Sequence, residues 1–143
     1  MIKHRAQSIF GRQWIYGQAV KLPYCFSFMI EEKESTKKFG DVCIENTDDV
    51  KYFGAPIFDE TICQNSTVKD KNGVEMYEGD IVYGAARWLE RYKPAVVTFR
   101  NGSFGLLWCR GDIEEFNPFT SLCNVEYEVV GNIYENPELM EEK

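Results

Sequence analysis

Apolar and polar positions alternate along much of this chain, and no long helical repeat is present. Gln13-Trp14-Ile15-Tyr16 and Ala19-Val20 read as a strand that pairs with the preceding segment around a turn at Gly11. In the next segment Tyr24, Phe26, Phe28 and Ile30 fall on one side, and Cys25, Ser27 and Met29 on the other. That period of two predicts a strand with at least one buried face. Residues 31–41 are charged and turn-prone, which suits a solvated hairpin or loop. From Asp41 to Gln64 short β-like pieces alternate with turn residues, in an order the pattern does not fix.

The second half is more regular. Lys69-Asp70-Lys71-Asn72-Gly73-Val74-Glu75 centres on Asn-Gly, a pair that tolerates the positive φ angles of a tight turn. Glu78-Gly79-Asp80 then turns the chain into the strand Ile81-Val82-Tyr83. The segment from Ala95 to Trp108 reads as two β-rich arms joined by Asn101-Gly102. Glu126 to Tyr134 predicts a further strand with a bulge or bend at Gly131.

Helix is scarce. Residues 85–92 read equally well as two helical turns or a loop, and Pro94 stops anything longer. Asn117-Pro118 and Asn136-Pro137 each offer an N-cap followed by proline, predicting short helices at 118–123 and 137–141. Many short strands with frequent turns describe a mainly β small barrel or roll.

Composition narrows the function classes. The 143 residues are 44% hydrophobic and 15% aromatic, enough for a packed core. No apolar stretch would span a bilayer, and Met1 to Ser8 carries no secretory signal. Five cysteines (Cys25, Cys43, Cys63, Cys109, Cys123) are widely spaced and odd in number, which suits free thiols in a reducing cytoplasm. Cys25 and Cys109 lie in core-like contexts and read as small buried hydrophobes.

Three stretches resemble the YopX-like proteins, a family carried by bacteriophages and prophages. The first is Lys3-His4-Arg5-Ala6 followed by Trp14-Ile15-Tyr16-Gly17, similar to the family's opening hairpin. The second and most specific runs from Lys69 to Val82 and holds Asp70, Asn72, Gly73, Tyr77, Gly79 and Asp80. The third runs from Val130 to Leu139, with Gly131, Asn132, Tyr134, Asn136 and Pro137. Asn101-Gly102 with the residues that follow is similar to the family's barrel hairpin. One departure stands out: the family has an aromatic-Thr-Gly-Leu segment where this chain has Asn65-Ser66-Thr67-Val68, so a glycine is missing. The resemblance implies an SH3-like β-barrel in residues 65–143, ending in a helical turn, with an N-terminal β-rich extension over residues 1–64 and the two forming one compact unit. It implies no established activity, and fold alone would not supply one.

Candidate chemistry is thin. His4 is the only histidine, so no histidine pair, triad or zinc cluster can form; its basic strand suggests a surface or edge position. No cysteine has an activating neighbour in sequence. As a calcium loop, Asp70 to Gly73 would place Val68 and Gly79 where two essential acidic ligands belong, and a hairpin turn explains it fully. Asp112, Glu114 and Glu115 are paired carboxylates of a kind that hydrolases use, but read better as a solvated loop. No enzyme activity, cofactor or metal is therefore expected.

One cluster offers binding chemistry. Between Tyr83 and Arg110 five basic residues stand against one acid and interleave with aromatics. Arg87, Trp88, Arg91, Tyr92, Lys93 and Arg100 form a candidate face for single-stranded nucleic acid, bases stacking on rings and phosphates meeting cations. The plainer reading puts the rings in the core and the cations in solvent, and is preferred. The first functional expectation is thus a non-enzymatic phage or prophage accessory protein of the bacterial cytoplasm. It would act by contact with a phage or host protein or a second copy of itself; single-stranded nucleic-acid binding is the alternative. The net charge of −7 is unevenly spread: residues 1–30 carry +4 with no acid, residues 31–110 carry −3, and residues 111–143 carry −8.

Overall fold

A computed structural model describes residues 3–21, 27–31, 42–45, 51–85, 94–110, 112–119 and 126–141. The chain divides into two compact units, Met1–Gln64 and Asn65–Lys143. Both are mainly β, as the alternating pattern predicts.

In the first unit β1 (His4–Gln7) and β2 (Trp14–Val20) form the hairpin expected around Gly11, followed by β3 (Ser27–Glu31), β4 (Val42–Glu45) and β5 (Lys51–Ile57). The hydrogen-bonded order is β4-β5-β3-β2-β1, and β1 also pairs with the start of β6 (Cys63–Lys69). Beyond β1 the chain meets β5: Ser8 bridges Ile57, and Phe58 N–H donates to the Gln7 carbonyl at 3.0 Å. This contact encloses Ala6, Ile15, Met29, Ala55 and Ile57 as a core. His4 is not at an edge, as its sequence context suggests. It is paired with Gly17 on one side and Gln64 on the other, and that second partner lies far along the chain.

The second unit continues β6 into β7 (Glu75–Tyr77), then β8 (Asp80–Ala85), β9 (Pro94–Arg100), β10 (Ser103–Arg110), β11 (Ile113–Pro118) and β12 (Glu126–Asn132). The last five strands form a sheet in the order β11-β10-β9-β8-β12. Met76 from the β6–β7 hairpin joins Val82, Ala95, Val97, Leu106 and Tyr127 in the core, with Val68, Phe104, Trp108, Phe119 and Val129 packed around them. Backbone bonds fasten the hairpin: Lys71 N–H donates to the Tyr127 carbonyl and Gly79 N–H to the Val97 carbonyl, each at 2.8 Å. Among the described residues no ladder joins β11 to β12, so the sheet is open.

Arg100 pairs with Ser103, and Asn101 (φ 53°) and Gly102 (φ 78°) both sit at positive φ, the signature of the expected two-residue hairpin. The bulge at Gly131 is present as a register shift between Val129 and Gly131. Pro137–Met140 forms a 3-10 helix, but Asn136 does not cap it through its side chain. That side chain instead accepts the Asn132 N–H at 3.4 Å.

Other expectations need correction. Asn117 and Pro118 end strand β11, which lies at the rim of the sheet, where a proline's missing N–H leaves no broken ladder; a 3-10 turn starts at Phe119, and the rest of the helix expected at 118–123 lies outside the described residues. Residues 120–125 lie outside the described residues, as do 32–41 and 86–93, and with them the question of 85–92. Glu114 and Glu115 are strand residues, not loop residues, and consecutive positions of a strand face opposite ways. Cys109 is exposed, because Trp108 packs on the core and the next side chain must point away. Cys25 and Cys123 are not described.

Candidate functional site

Of the six residues in the sequence-derived nucleic-acid face, Arg87, Trp88, Arg91, Tyr92 and Lys93 lie outside the described residues. Arg100, the sixth, ends β9 with its guanidinium 3.3 Å from the Glu114 carboxylate and 5.8 Å from the Phe116 ring centre. Phe99 points to the other side of the sheet, its ring 4.8 Å from that of Phe104, and Trp108 shares that side. Strand alternation therefore separates this cation from Phe99, Phe104 and Trp108 and leaves it Phe116 alone of these rings.

The family-type residues are occupied with backbone geometry. Asp70 accepts three backbone N–H groups: Asn72 at 2.8 Å and Val74 at 2.9 Å on Oδ1, and Val129 at 3.1 Å on Oδ2. It thereby closes the Asn72-Gly73 turn and ties it to β12. Burial pushes its carboxyl upward, but those donors and the adjacent Lys71 outweigh burial and hold it below its ordinary value. Asp80, fully buried, accepts the Tyr77 N–H at 2.8 Å across the Gly79 turn. Asn132 Oδ1 accepts Tyr134 N–H at 3.0 Å and Glu135 N–H at 2.9 Å, while Asn136 N–H donates to the Asn132 carbonyl at 2.9 Å. Each of these side chains is thus engaged with backbone groups. Burial raises the Glu78 carboxyl and lowers the His4 imidazole from their ordinary values. Among the described residues no three His, Cys, Asp or Glu side chains are grouped to hold a metal.

Two surfaces remain. Residues 112–141 hold eight acidic side chains, all exposed, and no Lys or Arg. Ile113 stands 69% exposed on β11, beside Glu114 and Glu115, and Val130 and Ile133 are exposed at the end of β12.

The other, on the first unit, escapes sequence reasoning and is partly covered, since Arg5 and Gln7 are buried. Ala6 and Ile15 pair on the core side of β1–β2, so Arg5 and Gln7 share the opposite face with Trp14 and Tyr16. On that face Arg5 lies 4.5 Å from the Trp14 ring centre, and Lys3 Nζ lies 6.0 Å from that of Tyr16. Arg12 donates to Gln7 Oε1 at 3.4 Å and stacks on Phe58 at 4.4 Å. Cations and rings thus alternate along the ladder. The signal was present as Lys3-x-Arg5 and Trp14-x-Tyr16, but only the strand register places the two pairs side by side.

The chain is similar to the crystal structure of protein EF1440 from Enterococcus faecalis, with a TM-score of 0.55 and 24% identity over 99% of each chain. That likeness concerns the fold. No curated protein matches the chain. The family model described as YopX protein matches residues 3–141, nearly the whole length. This chain belongs to the YopX family.

Proposed function

We propose that the protein is a non-enzymatic binding protein that acts by contact with another protein, a second copy of itself being the first partner to test. One observation carries this reading: all eight acidic side chains of residues 112–141 are exposed, Glu114 and Glu128 being paired with a cation among the described residues, and Ile113 on one edge strand and Val130 and Ile133 at the other stand exposed near them in the chain. An exposed apolar side chain flanked by acids, as Ile113 is by Asp112 and Glu114, suits a partner that offers apolar and basic side chains together. The same field repels nucleic acid. Residues 1–30, with +4 and no acid, give a second copy the complementary sign.

The SH3-like character of residues 65–143 belongs to the same proposal. It is supported by the β6–β7 hairpin packed over the five-stranded sheet and bonded to β12 through Asp70 and Lys71. A phage or prophage origin and a place in the bacterial cytoplasm complete it, and rest on the family resemblance and the spaced cysteines. No helix among the described residues is long and apolar enough to cross a membrane.

Size-exclusion chromatography with light scattering tests self-association. A mass above the monomer is expected at high micromolar concentration, decreasing as salt screens the charged rim. A strict monomer at that concentration rejects it.

A further inference from the structure

We propose that the open edge of β11 takes an extended basic segment of another protein as an added strand. This gives the contact reading above a mode and a partner class, and rests on it. The register fixes which backbone groups are on offer. Arg100 and Ser103 flank a two-residue turn, so they form a hydrogen-bonded pair, and alternation along the ladder makes Gly105 bond to Thr98. Gly105 thus turns its N–H and C=O toward β9 and meets Pro118, on its other side, without backbone bonds. Along β11 the same parity directs the backbone of Glu115 and Asn117 to β10, and the N–H and C=O of Glu114 and Phe116 to the sheet's rim. Pro118, which has no N–H to donate, shares that outward parity, as a rim strand requires. Among the described residues no strand pairs with β11 on that side. Asp112, Ile113, Glu114 and Glu115 are all exposed, so the edge is open to solvent.

The side chains choose the occupant. Glu114 and Phe116 stand on one face of β11, Ile113 and Glu115 on the other, so each face presents one acid and one apolar side chain. Two copies of β11 side by side would bring the acids of both into one ribbon, which cross-strand repulsion opposes. A basic strand removes that repulsion. Read across the ladder, Ile113-Glu114-Glu115-Phe116 is a template for apolar-basic-basic-apolar, a pattern that fits in either chain direction. Glu114 already meets Arg100 at 3.3 Å, but that pair is exposed and leaves the carboxylate accessible to a second cation.

Amide hydrogen exchange on the full chain, followed by NMR with and without the hexapeptide Thr-Val-Lys-Lys-Val-Thr, tests this. At saturating peptide the Glu114 and Phe116 amides should slow by about tenfold or more, while those of Glu115 and Asn117, already bonded to β10, change little. The same peptide with prolines in place of both valines keeps its charge but cannot pair, and should protect neither amide. Glu114→Pro should abolish binding and keep the fold by circular dichroism, since Pro118 stands at the same parity; Glu114→Ala, which keeps the N–H, should lose only severalfold. Binding that protects neither amide, a proline peptide that binds as well, or equal losses for Glu114→Ala and Glu114→Pro would each overturn the proposal. A chain that self-associates in light scattering yet leaves both amides unprotected overturns the added strand and leaves the contact reading standing. A strict monomer that protects both supports the added strand and removes only the second copy as partner.

Discussion

Thr67 holds a backbone conformation that a β-branched residue avoids, at φ 66°. By the resemblance drawn from the sequence it stands where the family has glycine, and it holds a conformation that suits glycine. Neighbouring side chains hold the distortion: Asn65 Oδ1 accepts the Thr67 N–H at 2.6 Å, and Ser66 Oγ accepts the Val68 N–H at 3.2 Å. Thr67→Gly should therefore raise stability by about 0.5–1 kcal/mol, relief of strain exceeding the added unfolded-state freedom; urea denaturation measures it. Asp70 gives a second test. Asp70→Asn keeps one acceptor oxygen but turns an N–H group toward a backbone donor, and should cost about 1–3 kcal/mol. Because the folded carboxyl lies below its ordinary value of 3.8, its contribution is fully present above that pH and is lost as pH falls through the folded value. The gap between wild type and variant should then close in acid; a gap unchanged at low pH would show that the carboxylate charge is not the cause. Glu78 has the opposite sign: burial raises its carboxyl, so ionisation disfavours the fold. Glu78→Gln should be the more stable chain at neutral pH, and that advantage should vanish below the ordinary value of 4.5.

At the scale of elements, legibility followed how local each determinant is. The β9–β10 hairpin could be read directly because Asn101-Gly102 supplies both positive-φ positions from two adjacent residues. Gly131 was legible as a bulge, and the structure adds why nothing larger fits. A Cβ there would lie 2.5 Å from Asn136 Oδ1 and 3.0 Å from Leu139 Cδ1. Gly131→Ala should destabilise by about 1–3 kcal/mol and loosen the Pro137–Met140 turn, seen as faster amide exchange at Leu139. Asn117-Pro118 was ambiguous by itself, because a proline after a good capping residue is equally at home where β11 forms the rim of a sheet, and there the strand runs through Pro118 before the 3-10 turn at Phe119. His4 misled because its second neighbour, Gln64, is supplied by a strand about sixty residues away. The β1–β2 face fell between these cases: each strand showed its alternation, but only the pairing of Arg5 with Tyr16 and Gln7 with Trp14 turned two short patterns into one surface.

For the whole molecule, the proposed division of labour is between turns that shape the chain and exposed side chains that meet a partner. Asp70, Asp80, Asn132 and Asn136 are engaged with backbone groups, so the residues most characteristic of the family report on the fold. Charge distribution adds what those motifs do not: a basic first unit face and an acidic stretch at 112–141. The uneven spread was legible in the sequence; which side chains stand exposed was not, as Cys109 and Ile113 show. Light scattering on the wild type, Asp70→Asn and Ile113→Asp, recorded with circular dichroism over a temperature ramp, separates shaping from binding in one measurement. Asp70→Asn should melt earlier yet associate like the wild type below its transition. Ile113→Asp should melt like the wild type in dilute solution, since an exposed position carries little stability, and should remain monomeric on concentration. A wild type that stays monomeric at high micromolar concentration, or a folded Asp70→Asn chain that no longer associates, would contradict the assignment of turns to shape and surfaces to contact.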